Sequence, residues 1–227
     1  MRNKLIYALL IVGGLFFLYN LHDIFAVLPD EANQGPIYRI MYLHIPAGIT
    51  CLIGFFIGMI FSIGYLTTGK MAFDAASASI NEVALAFAFM NVVTGSIWAR
   101  IIWGIWWTWD PRLTAMFVCL LIYVGYLLLR QAIDEPTRRG RLSAAFSIFG
   151  TVDVIVVWKS IEWFRTQHPG PVLDIRTGGG RIDPAMQSMI GRDLLAFLLI
   201  AAALVLLRMK QEENAREIDA LRRLAHA

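Results

Sequence analysis

Residues 39–68 read RIMYLHIPAGITCLIGFFIGMIFSIGYLTT, and this stretch decides the fold class. Its one charged residue is Arg39, at the start, and the run that follows is almost entirely apolar. About 20 apolar residues in a helix cross the hydrocarbon core of a bilayer, where each backbone N–H and C=O must be paired within the protein. The stretch therefore predicts a transmembrane helix.

Five further stretches have the same character. They are residues 4–21, 75–98, 113–133, 144–164 and 191–209. The composition agrees, since 58% of the 227 residues are hydrophobic and 16% are charged, which is too apolar for a soluble domain of this size. The sequence predicts an all-α integral membrane protein, a six-transmembrane-helix bundle over residues 1–209, followed by a short charged tail at 210–227.

Lysine and arginine residues fall mainly in alternate connections between these helices. The group expected on one side comprises Arg2, Lys4, Lys70, Arg130, Arg138, Arg139, Arg141, Arg208, Lys210, Arg216, Arg222 and Arg223. The positive-inside rule places this side, and both termini, in the cytoplasm of a bacterium, although three arginines in residues 165–190 weaken the asymmetry. Topology thus explains the net charge of +3 without a nucleic-acid partner.

With this topology, residues 21–38, 99–112 and 165–190 lie on the outer face of the inner membrane. The last of these connections contains His168-Pro169-Gly170-Pro171 and three consecutive glycines at 178–180. Such residues interrupt helices. We therefore expect this connection to fold over the outer surface as a lid.

The second outer connection holds an unusual cluster, because five of the seven tryptophans of the chain lie between Trp98 and Trp109. Tryptophan favours membrane interfaces, so one or two of them would indicate only an aromatic belt. If the segment is helical, Trp103, Trp106 and Trp107 share one face. That face would form a broad apolar platform for a flat ligand.

Two arginines flank the platform. Arg100 and Arg112 carry planar guanidinium groups that match carboxylates such as the propionates of haem. The alternative for each is an orienting charge at the membrane surface, or an ion pair with Asp110.

Three of the four histidines are expected toward the outer face. His44 lies near the start of the second predicted helix and His168 opens the last outer connection, so both can approach the tryptophans. Neutral imidazole is a common axial ligand of haem iron, and two imidazoles from different elements can bind both faces of the macrocycle. His22, at the outer end of the first predicted helix, is an alternative for either position.

Ionisable residues within the predicted helices are costly in a membrane and need partners. Glu82 lies in the third predicted helix, and Asp153 and Lys159 lie in the fifth. The alternatives are a polar contact or a proton path, and we expect these groups to form structural pairs inside the bundle.

The residues resemble a known family. The segment Trp103-Gly104-Ile105-Trp106-Trp107-Thr108-Trp109-Asp110 is similar to the W-G-x-W-W-x-W-D motif of the haem-handling proteins of cytochrome c maturation. Residues 39–46 and the Ser-Ile-Glu-Trp sequence at 160–163, ahead of His168, resemble the haem exporter protein C (CcmC) branch. The resemblance covers nearly the whole chain.

This resemblance implies that His44 and His168 are the axial ligands of a transiently bound haem b. It also implies that the tryptophan segment supports the porphyrin and that Arg112 or Arg39 assists at its polar edge. The supporting residues would be Trp103, Trp106, Trp107, Trp109 and Asp110.

The same resemblance implies a delivery role rather than an enzymatic one. Haem would be presented to a periplasmic haem chaperone, CcmE. The further partners would be the small single-span protein CcmD and the ABC transporter subunits CcmA and CcmB.

Three other functions have weaker support in the sequence. A haem-containing electron-transfer subunit usually needs about four histidines at two depths, and no predicted helix has a histidine in its inner half. A small-molecule transporter, with Glu82 and Asp153 as coupling residues, should show internal repeats or broken helices, which are not evident. A classical enzyme should show a nucleophile, phosphate-loop or zinc motif, and none is present.

Overall fold

The computed structural model describes residues 1–170, 173–174, 179–180 and 182–225. Six helices in this part of the chain are long and apolar enough to cross a membrane. They are α1 (Arg2–Ala26), α2 (Met41–Thr68), α3 (Met71–Ile102), α4 (Pro111–Gln131), α5 (Pro136–Trp163) and α6 (Pro184–Ala225). The predicted all-α, six-helix fold class is confirmed.

The remaining regular structure lies in two connections. A 3-10 helix, Pro36–Ile40, leads into α2, and Leu173–Asp174 pairs antiparallel with Gly179–Gly180 between α5 and α6. The expected lid includes residues 171–172, 175–178 and 181, which lie outside the described residues, as does His226.

Helices α1 to α4 begin and end within five residues of the predicted positions, but α5 begins eight residues earlier than predicted, at Pro136, and α6 is much longer. Helix α6 has 42 residues and continues without interruption from the sixth predicted membrane span into the charged tail. The reason is local, because no glycine or proline follows Gly191 within the helix.

Helix α2 is the centre of the bundle and packs against α3, α5 and α6, while α1 packs on α6 and α4 on α5. The fully buried core includes Cys51 and Phe55 of α2 and Tyr123 of α4. The rings of Phe55 and Tyr123 stack with centroids 3.5 Å apart. At Gly54 an added Cβ would lie 2.7 Å from the Cβ of Ala84, so small residues allow α2 and α3 to approach closely.

The bundle has two chemically different ends. The connections after α1, α3 and α5 meet at one end, here called the tryptophan end, where Trp98 Nε1 donates to Gln34 Oε1 at 2.8 Å. The opposite end, here called the basic end, holds the α2–α3 and α4–α5 turns. There Lys210 of α6 donates to Asn3 of α1.

The ionisable residues of the helices find different partners from those expected. Glu82 pairs with Arg208 of α6 at 2.6 Å, but the two side chains are 37% and 33% exposed, so the pair lies at the surface of the bundle rather than inside it. Lys159 instead pairs with Glu162 at 2.8 Å, and its expected pairing with Asp153 is wrong. Residues three apart share a helix face, whereas residues six apart do not.

A buried ion-pair network joins three helices at the basic end. Asp74 of α3, 3% exposed, accepts from both terminal nitrogens of Arg130 at 2.7 and 3.2 Å. Arg216 of α6 donates to the same carboxylate at 2.7 Å. One carboxylate therefore joins the start of α3, the end of α4 and the extension of α6.

Replacing Asp74 with Ala should strongly destabilise the protein, because Arg130 would remain buried without a counter-charge. We expect a loss of about 3–5 kcal/mol in the free energy of unfolding, measured by denaturant titration in detergent. The matched control is Glu213→Ala, which removes the exposed pair with Arg2 at the same end. That change should cost less than about 1 kcal/mol, and equal losses in the two variants would contradict the structural role of Asp74.

Candidate functional site

A cavity of about 340 Å³ lies at the tryptophan end. Its wall comes from α2, α3, α4 and α5 and from the connections at that end, and it is mainly apolar. The wall includes Gln34, His44, Asn91, Gly95, Trp98, Trp103, Trp107, Arg112, Glu162 and His168. A concave apolar site with a few polar groups is the usual form of a small-molecule or cofactor site.

His44 lies in the first turn of α2 and is oriented by α3. Its Nδ1 is 3.0 Å from the main-chain oxygen of Asn91 and 3.1 Å from Thr94 Oγ1. Because a carbonyl oxygen can only accept, the hydrogen bond to Asn91 requires the tautomer with the proton on Nδ1, although the donor Asn91 Nδ2 also lies 3.3 Å from this nitrogen. The lone pair of the neutral imidazole is then on Nε2.

Two further contacts place this ring. Asn91 Nδ2 donates to the main-chain oxygen of His44 at 2.9 Å. At Gly95 an added Cβ would lie 2.8 Å from His44 Cε1, so only glycine leaves room for the imidazole.

His168 reaches the same cavity from the connection after α5. Its Nδ1 donates to the main-chain oxygen of Pro169 at 2.8 Å, which leaves the lone pair on Nε2, as in His44. Burial, together with the positive charge of Arg112, lowers the pKa of His168 below its ordinary value. The ring is therefore neutral at physiological pH, the form that binds metals.

The tryptophan segment is not helical, so the expected shared helix face of Trp103, Trp106 and Trp107 is wrong. Helix α3 ends at Ile102, and Gly104 has φ +76°, a left-handed conformation that commonly follows a helix end. Pro111 then starts α4. Residues 103–110 form an irregular connection across the end of the bundle.

This connection divides the tryptophans between two environments. Trp103 and Trp107 line the cavity. Trp106 and Trp109 lie outside its wall and are 60% and 75% exposed. The Trp107 ring contacts Phe117 edge-on, with centroids 5.5 Å apart, which holds the segment against α4.

The three candidate arginines also lie in different surroundings. Arg112 lines the cavity, and its guanidinium donates to the main-chain oxygen of Val157. Arg39 donates to the main-chain oxygens of Ile24 and Leu28 and pairs with Asp30. These contacts hold the connection after α1.

Arg100 donates to the main-chain oxygen of Gly104, which lies just after the end of α3. Among these three arginines, Arg112 is the one in the cavity wall.

Asp110 lies just outside the cavity wall and caps α4. Its Oδ1 accepts from the main-chain nitrogen of Arg112 at 2.9 Å, so the two residues interact through this bond. Its carboxylate also accepts from Thr166 and Gln167. Although burial opposes ionisation, these hydrogen bonds hold the pKa of Asp110 below its usual range.

Several residues of the site were not predicted as such from the sequence. Trp98, which the sequence placed only in the tryptophan cluster, contacts the His44 ring edge-on, with centroids 5.9 Å apart. Asn91 and Thr94 orient His44. The signal available in the sequence was two polar residues, three positions apart, inside an apolar helix.

His22, the alternative ligand predicted from the sequence, is exposed beside Asp23 and lies outside the cavity wall.

Gly95→Ala should displace the His44 ring and destabilise the bundle by about 1–3 kcal/mol, because the new methyl group overlaps the imidazole. The control is Gly14→Ala, since nothing lies within 4 Å of a Cβ at that helical position. This change should be neutral or slightly stabilising, because alanine favours helix more than glycine does. Thermal unfolding in detergent measures both, and a neutral Gly95→Ala would contradict the close packing at His44.

Fold and site together define a class: a polytopic helical membrane protein with an apolar cavity lined by two histidines at one end. A sequence model of the family CcmC, heme exporter protein C, matches residues 1–224. The chain belongs to this family, and the resemblance noted in the sequence is confirmed.

Individual relatives agree with the family match. Heme exporter protein C of Escherichia coli strain K12 is 37% identical over 188 residues, covering 82% of this chain and 74% of the relative. The protein of that name from Bradyrhizobium diazoefficiens is 31% identical over 196 residues, covering 86% and 74%. The one from Paracoccus denitrificans is 27% identical over 194 residues, covering 85% and 80%.

Proposed function

We propose that the protein handles haem in cytochrome c maturation and binds haem b reversibly in the cavity at the tryptophan end. The observation that carries the proposal is the shared environment of His44 and His168. Both line one cavity, and each uses Nδ1 to bond a main-chain carbonyl, which leaves Nε2 as the ligating nitrogen. A hydrogen bond to a backbone carbonyl is one of the ways in which proteins orient a metal-binding histidine.

The donor set of the cavity fits haem. Two neutral imidazoles suit the two axial positions of the iron, and the apolar wall with Trp103 and Trp107 suits the porphyrin ring. Arg112 supplies a cation at the wall that suits a propionate. Haem, when bound, supplies the iron, and the residues of the chain hold it, orient it and exclude water from it.

The remaining candidate residues take supporting places in this proposal. Trp106 and Trp109 are exposed at the same end and offer an aromatic surface beside the cavity. Arg39 and Arg100 hold the connections after α1 and α3, and Asp110 joins two connections.

We further propose that the tryptophan end faces the periplasm across a bacterial inner membrane. The basic end carries Lys70, Arg138, Arg141 and Lys210, which the positive-inside rule places in the cytoplasm together with both termini. Haem would then be presented to a periplasmic chaperone of the CcmE type. CcmD and the transporter subunits CcmA and CcmB complete the proposed set of partners.

The proposed role is delivery rather than catalysis, and the alternatives have less support. Electron transfer across the membrane would need histidines at a second depth, yet His44 and His168 share one cavity and His22 is exposed. Of the two candidate coupling carboxylates of a transporter, Glu82 is bonded to Arg208, whereas Asp153 Oδ2 has no hydrogen-bond partner among the described residues. The transporter alternative therefore rests on Asp153 alone.

Purified protein should carry substoichiometric haem, and His44→Ala and His168→Ala should each lose most of it or lose one axial ligand. The control is His22→Ala, which should match wild type because this side chain lies outside the cavity wall. Absorption spectra and haem content per protein measure the outcome. Wild-type haem content and spectra in both cavity variants would refute the ligand assignment.

Delivery should appear as movement of haem from this protein to the chaperone. Haem-loaded protein in nanodiscs, mixed with purified haem-free chaperone, should lose its absorption while the chaperone fraction gains it. His168→Ala, loaded with haem to the same level, should transfer its haem to the chaperone faster than wild type, because one ligand of the donor is missing. Haem that stays with the wild-type protein and instead changes redox state with a quinol would favour electron transfer.

A further inference from the structure

We propose that Asp110 is a positioning residue for His168: its carboxylate holds the Thr166–Gln167 segment so that the imidazole faces the cavity. The inference rests on the proposed function for the identity of what His168 binds. The geometry of the Asp110 contacts stands independently of that function.

The first observation is that the Asp110 carboxylate accepts three hydrogen bonds. Oδ1 accepts from Thr166 Oγ1 at 2.7 Å and from the main-chain nitrogen of Arg112 at 2.9 Å. Oδ2 accepts from the main-chain nitrogen of Gln167 at 2.7 Å. Asp110 is 7% exposed, so these bonds are shielded from competition by water.

The second observation is a relay from Thr166 to His168. While the Thr166 hydroxyl donates to Asp110, its oxygen accepts from the main-chain nitrogen of His168 at 3.0 Å. The carboxylate thus acts on both residues that precede His168 and, through Thr166, on His168 itself.

The third observation concerns the chain around His168. Helix α5 ends at Trp163, and Phe164 is extended, with φ −126° and ψ 156°. Among the described residues, segment 164–170 makes one backbone–backbone hydrogen bond, from the Phe164 N–H to the Ser160 carbonyl, and this bond closes α5. Segments with few such bonds depend on side-chain contacts for their position.

Asp110 also ends the tryptophan segment and begins α4. Asp110 follows Trp107, in one part of the cavity wall, by three residues, and its carboxylate bonds the segment that leads to His168, in another part. The structure assigns the aspartate of the tryptophan motif to this link rather than to contact with the ligand.

Capping of α4 is the competing explanation, and two conservative variants separate it from positioning. Asp110→Asn keeps an N-cap oxygen for Arg112, since asparagine caps as well as aspartate. It cannot also accept from both Thr166 and Gln167, because one of its two terminal atoms is a donor. Thr166→Val removes the hydroxyl at nearly constant volume and leaves the cap of α4 untouched.

The haem-free protein provides the first measurement. Amide hydrogen exchange of residues 164–170, followed by mass spectrometry, should be slow in wild type at Gln167 and His168. We expect exchange to rise about tenfold or more in Asp110→Asn and in Thr166→Val, since a charge-assisted bond is lost in each. Exchange within α4 should change little.

The second measurement uses ferric haem as the probe. Wild type should give a low-spin, six-coordinate spectrum, whereas both variants should give a five-coordinate form that retains His44. Added free imidazole should restore the six-coordinate spectrum, as it should in His168→Gly, because a diffusible ligand replaces a misplaced one.

The matched control is Glu135→Gln. Glu135 caps α5 at the basic end in the same manner, accepting from the main-chain nitrogens of Thr137 and Arg138. This variant should leave both the exchange of residues 164–170 and the haem spectrum unchanged.

Each outcome decides the proposal. Wild-type exchange and a six-coordinate spectrum in Asp110→Asn would overturn it even if Thr166→Val has an effect, because Thr166 itself accepts from the His168 N–H. Lost stability in Asp110→Asn with no effect of Thr166→Val would overturn it as well. If wild type itself fails to bind ferric haem through His44 and His168, the proposed function fails. Hydrogen exchange in the haem-free protein then still supports or overturns the positioning by Asp110.

Discussion

In hydrocarbon, each backbone N–H and C=O must find its partner inside the protein, and the architecture follows from this constraint. Six long helices satisfy it within their own segments. Irregular backbone is then restricted to the ends of the bundle, where water or side chains supply the missing partners. The candidate site lies at such an end because only there can connections bring residues from several helices together.

The same constraint explains how the cavity is built. The connection 103–110 follows the end of α3 through the left-handed Gly104 and leads into α4 at Pro111, which Asp110 precedes as the N-cap. It crosses the end of the bundle, and Trp103 and Trp107 line the cavity there. Arg100 and Asp110 use their side chains to satisfy backbone groups at these two breaks. Residues that a sequence motif groups together thus divide into those that face the cavity and those that stabilise the backbone around it.

Polar residues inside the helices have defined structural tasks as well. Asn91 and Thr94 orient His44, and Asp74 joins Arg130 and Arg216 at the opposite end. Buried polar groups are costly unless they are bonded, so such networks restrict the helices to one register. The position of His44 is therefore coupled to the packing of α3 on α2.

The amino-acid sequence by itself determined the membrane class and the six helices, and it singled out His44, His168 and the tryptophan cluster as candidate site residues. Long apolar stretches and a rare motif are local properties that need no knowledge of packing. Only the tertiary structure decided that Trp106 and Trp109 lie outside the cavity wall, that Arg112 rather than Arg39 or Arg100 lines it, and that Asp110 contacts Thr166 and Gln167. These outcomes depend on how helices separated by tens of residues approach each other, and the spacing of residues along one helix carries no information about that approach.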